Sequence, residues 1–81
     1  MPVVFRCRGF RFFFYSNEGS PREPVHIHAV GEAGEAKFWL RPAAHVAWSS
    51  GLSASTLREL TTEVERQSGL IEKAWNEHFG T

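Results

Sequence analysis

The segment SPREPVHIHAV, residues 20–30, sets His26 and His28 one residue apart, close behind Arg22 and Glu23. In an extended strand two residues advance about 6.6 Å and point to the same side, so the two rings can converge on one atom. Imidazole titrates near neutral pH. A pair of rings flanked by Arg11, Arg22 and Lys37 therefore has the composition to pass a proton while cations stabilise a developing phosphorane. That is the equipment of a metal-independent endoribonuclease, with His26 and His28 as the acid–base pair and Glu23 or Tyr15 orienting a ring. The same geometry permits metal chelation, but zinc takes three or four protein ligands. Glu23, His45 and His78 are the remaining candidates, and none has diagnostic spacing; Cys7 falls on another strand. The expectation is no metal and no cofactor. A third reading makes the histidines contact residues of a packed or binding face. It is favoured over chemistry because no third group has a spacing that marks an acid–base triad.

The elements that must position these residues follow from pattern. PVVFRCRGFRFFFYS reads as two strands, Val3–Cys7 and Phe10–Tyr15, hinged at Arg8-Gly9, since both runs are β-branched and aromatic. NEGSPREP is a loop, VHIHAV an alternating strand and AKFWL a fourth strand after the GEAGE turn. His45–Ser49 is a short fifth strand, kept at a sheet edge by Pro42. From Ser53 the period changes: Leu57, Leu60 and Val64 recur at three and four, with Ser53 or Ser55 as N-cap and Gly69 as the stop. LIEKAWNEHFG repeats that logic up to Gly80. The expected fold is α+β: an antiparallel meander of four to five strands over residues 1–50, then a helical hairpin over 53–80 packed on one sheet face. All of it belongs to one domain, 1–81.

Parity sorts the faces. Phe10, Phe12 and Phe14, Val25, Ile27 and Ala29, and Ala36, Phe38 and Leu40 form a nearly apolar set suited to lie under the helices. The opposite face then carries Arg11, Phe13, Tyr15, His26, His28, Lys37 and Trp39. Such a mixture of aromatics and cations suits three uses: a protein interface, whose hot spots favour aromatic residues and Arg; stacking of single-stranded bases; or a wetted sheet face. The interface reading places Phe13 and Trp39 outside the core.

Composition bounds the rest. A chain of 81 residues buries roughly 60–65% of its unfolded surface, so each large apolar residue matters. One cysteine excludes an internal disulfide and suits a reducing cytoplasm, with Cys7 expected as a half-buried strand residue. The most apolar run, FRFFFY, is far shorter than a membrane span, so a soluble, cytoplasmic chain is expected. Net charge is zero, which argues against bulk attraction to nucleic acid. Residues 1–50 hold six basic and four acidic side chains, while 51–81 hold three and five.

The run MPVVFRCRGFRFFFYSNEGSPREPVHIHAV, with GEAKFWL and the tail EKAWNEHFG, resembles a bacterial family of small proteins described as domain of unknown function 4160. The likeness spans essentially the whole chain. Pro2, Arg6, Gly9, the aromatic strand ending in Tyr15, Asn17-Glu18, Glu23-Pro24, His26 and His28 fall where the family has them. The family commonly reads EPPHIHV; here Val25 replaces the second proline and Ala29 the valine. The family has no established activity. Its members are often encoded beside a second small protein in a toxin–antitoxin-like, two-gene arrangement. The resemblance thus implies a protein partner encoded nearby, with RNA as a further possible target. Taken with the aromatic sheet face and the lack of an apolar span, it sets the expectation of an accessory module that binds that partner or forms a homodimer, with no membrane role.

Overall fold

The computed structural model describes residues 3–15 and 23–80. Five strands, β1 (Val3–Cys7), β2 (Phe10–Phe13), β3 (His26–Val30), β4 (Glu35–Trp39) and β5 (His45–Ser50), form one antiparallel sheet in sequence order. Two helices follow, α1 (Ala54–Arg66) and α2 (Ser68–Phe79). The α+β meander read from the sequence is the fold.

The β1–β2 hairpin turns on two residues with positive φ, Arg8 at 54° and Gly9 at 81°, the signature of a type I′ turn. Its twist matches that of the strands and sets Cys7 opposite Phe10 and Arg6 opposite Arg11. Gly34 serves a different need. A Cβ there would lie 2.1 Å from the Ser50 carbonyl oxygen, so only glycine lets β5 close against the start of β4. Both edge strands carry an irregularity. The register slips between Val3 and Phe5 in β1, and where Lys37 and Phe38 meet β5.

The parity set expected under the helices is the core. Phe12, Phe14, Ile27, Ala29, Ala36, Phe38 and Leu40 are buried with Leu60 and Val64 of α1 and Ile71 and Trp75 of α2. Phe5 stacks on Phe12 at 4.3 Å, and Trp75 meets Phe14 edge-on at 5.1 Å. Full burial of each large apolar side chain is worth about 1.5–3 kcal/mol, the main term opposing chain entropy. Cys7, half-buried, packs at the margin of this core as expected.

The helix ends differ from expectation at one point. Ser53 caps α1, its hydroxyl accepting the Thr56 N–H at 3.1 Å, and Gly80 closes α2 in the left-handed conformation. Gly69 does not stop the first helix; it lies in the first turn of α2. The break falls at Gln67, whose φ of −96° and ψ of 11° bend the chain without a left-handed residue. Its N–H still donates to the Glu63 carbonyl and its own carbonyl accepts from Ile71, both at 2.9 Å. Hydrogen bonding thus passes from one helix to the next with no glycine needed. No helix among the described residues is long and apolar enough to cross a membrane.

Candidate functional site

His26 opens β3, and its ring is fixed locally. Nδ1–H donates to the Pro24 carbonyl at 2.9 Å; a carbonyl can only accept, so the proton is on Nδ1. The Glu23 carboxylate sits 4.0 Å from the same nitrogen and 3.3 Å from the Lys37 ammonium on β4. Lys37 in turn lies 4.3 Å from the centre of the Trp39 ring, a cation–π contact. The strand register explains the assembly: His26 pairs with Trp39 and His28 with Lys37, so all four share one face.

Aromatic rings enclose the histidines. His26 meets His28 at 5.3 Å, Trp39 at 5.4 Å and Trp75 at 5.0 Å, in each case edge to face. His28 meets Tyr15 at 4.7 Å and Phe13 at 5.9 Å, and Phe13 and Tyr15 touch at 5.1 Å. His26 is 0% exposed, His28 7% and Phe13 2%. The expectation that Phe13 lies outside the core is therefore corrected. Trp75, which also packs on Phe14 beneath the sheet, reaches round to the His26 ring, so α2 covers residues of both parities near the sheet end. Strict alternation predicts two separate faces only while the strands run regularly, and β2 ends at Phe13.

The structure thus brings together Phe13, Tyr15, Glu23, His26, His28, Lys37 and Trp39. Arg11 is not among them. It stands one pair further along the sheet, opposite Val30 on one side and Arg6 on the other. Arg22 lies outside the described residues. His45 pairs with Trp39 on the edge strand, its Nδ1 donating to the Ala43 carbonyl at 2.7 Å, and His78 lies on α2 against Phe79. Among the described residues no three His, Cys, Asp or Glu side chains are grouped to hold a metal ion.

Three residues at or beside the site are missing from the face predicted by parity. Trp75 reads as one more apolar helix position, with no signal of its contact to His26. Trp48 reaches the second face, opposite Lys37, because the β5 irregularity shifts the register. Arg6 was legible: a two-residue hairpin at Arg8-Gly9 requires it to face Arg11. Of the four exposed large apolar side chains among the described residues, three lie on this side, Val3 at 42%, Tyr15 at 38% and Trp48 at 44%; the fourth, Leu70 at 45%, is on α2. Val3 pairs with Phe13, and Trp48 with Lys37, so they flank the row of buried Phe13 and His28 and half-buried Lys37.

Fold and site together define a small α+β meander domain with an imidazole–aromatic cluster on the sheet face carrying these exposed side chains. The chain belongs to the family described as domain of unknown function (DUF4160), whose pattern matches residues 9–76. No curated protein and no solved structure matches it.

Proposed function

We propose that the chain is a protein-binding accessory module of a two-gene, toxin–antitoxin-like system, docking its partner or a second copy on the sheet face that carries the His-x-His motif. The observation that carries this reading is the placement of Val3, Tyr15 and Trp48, exposed around a buried cluster on one side of the sheet. Interfaces favour this arrangement: aromatic anchors held at low entropic cost on a packed support. In this reading His26 and His28 build the support. Tyr15, Trp39 and Arg11 offer contacts at its margin, with Glu23 and Lys37 fixing the rim. The endoribonuclease alternative is less well supported, because a phosphodiester must reach a ring to exchange protons with it, and His26 is fully enclosed.

The test is co-purification and titration of the chain with the product of the neighbouring gene, using Trp48→Ala. Trp48 is largely outside the core, so its truncation separates binding from folding. A complex weakened tenfold or more, with unchanged melting, is the expected result. A chain that stays monomeric at micromolar concentration and forms no complex with that product contradicts the reading.

A further inference from the structure

We propose that the corner of the sheet formed by Arg6 and Arg11 is a docking point for carboxylates on an acidic segment of a protein partner. This rests on the binding role above and specifies the partner's chemistry.

Arg6 on β1 and Arg11 on β2 are directly opposed in the register, so both guanidinium groups leave the sheet on the same side. Both are exposed. Of the other described arginines, Arg8 pairs with Glu59, Arg41 with Glu72 and Arg66 with Glu63. Arg58 stands alone on α1, so Arg6 and Arg11 are the two unpaired arginines that the register sets side by side. Arg6 and Arg11 form no ion pair among the described residues. The acidic side chain in the same row is Glu35, opposite Val30 on β4. It stands two strands from Arg11, about 10 Å away at ordinary strand spacing, too far to neutralise it. Two like charges directly opposed weaken a sheet, and here no carboxylate among the described residues pairs with either. A pair of planar forks on a rigid hairpin matches carboxylate or phosphate oxygens in a bidentate manner.

Charge complementarity and the neighbouring rings select among occupants. A second copy meeting this corner by a two-fold axis would bring four guanidinium groups together. Single-stranded RNA would need open aromatic faces beside the cations. The rings next to Arg11, Phe13 and His28, are instead enclosed in the cluster, and the exposed rings of this side, Tyr15 and Trp48, lie outside the row of Arg6 and Arg11. Carboxylates on an extended protein segment need only the two forks and the half-buried Val30 between Arg11 and Glu35.

The probe is a fluorescein-labelled eight-residue peptide of alternating Glu and Val, followed by anisotropy against the whole chain. Its counterpart carries Lys in place of Glu. The acidic peptide should bind the wild type saturably and lose at least tenfold in affinity to Arg6→Gln/Arg11→Gln. The double reversal Arg6→Glu/Arg11→Glu should instead bind the lysine peptide at least tenfold better than the wild type does. Equal affinity of the acidic peptide for wild type and variants, or no saturation by millimolar peptide, overturns the proposal. So does an eight-nucleotide uridine strand that binds the wild type more tightly than the acidic peptide. If the peptide fails while Trp48→Ala still weakens the complex with the neighbouring product, the acidic-partner assignment falls and the binding role stands. If neither responds, both fall.

Discussion

His26 has a polar ring in a fully buried position, and its surroundings are those of a packing residue. Its Nδ1–H donates to the Pro24 carbonyl, and Trp39, Trp75 and His28 meet its ring. His26→Ala should therefore destabilise the chain by about 3 kcal/mol, in the range of a buried aromatic truncation. His26→Phe keeps the aromatic area and loses the hydrogen bond, so its cost should be nearer 1 kcal/mol. Urea denaturation of the two variants checks the order; equal costs would mean that ring area is not what this position supplies. The common orientation of the two histidines was legible in their spacing. Their enclosure was not, because it depends on Trp75, forty-nine positions after His26 in the chain, and on the end of β2 at Phe13.

At the scale of elements, the β1–β2 hairpin combines a favourable turn with an unfavourable pair. Arg6 facing Arg11 costs the sheet roughly 0.2–1 kcal/mol. Arg6→Thr should remove that repulsion and add β propensity, raising stability by about 0.5 kcal/mol in thermal or urea unfolding while weakening any anionic contact. A fall in stability would show that the guanidinium stem packs on the sheet. Gly34→Ala is expected to act in the opposite sense, by 2 kcal/mol or more (about the range of a forced overpacking), because its methyl would collide with the Ser50 carbonyl. Thermal unfolding reads both. Strand order, an α1 cap at Ser53 or Ser55 (Ser53 in the structure) and the core set from Phe10 to Leu40 followed from period and parity. The slips in β1 and β5 did not, since a bulge is set by how neighbouring strands twist together and leaves no mark in alternation. The helix break at Gln67 escaped for a related reason: glycine marks only the breaks that need a positive φ.

Over the whole molecule, one side of the sheet holds the helices and the main core. The other holds a buried imidazole–aromatic cluster with exposed Val3, Tyr15 and Trp48 around it. That asymmetry is what supports the proposed binding role. The most direct measurement is calorimetric titration of the purified chain with the product of the neighbouring gene, for wild type, Trp48→Ala and His28→Gln, with cellular RNA followed in parallel. The account predicts a saturable complex for the wild type, at least a tenfold loss for Trp48→Ala at unchanged melting temperature, only a partial loss for His28→Gln, and intact RNA. RNA cleavage by the wild type that disappears in a folded His28→Gln variant, with no complex formed, would contradict it.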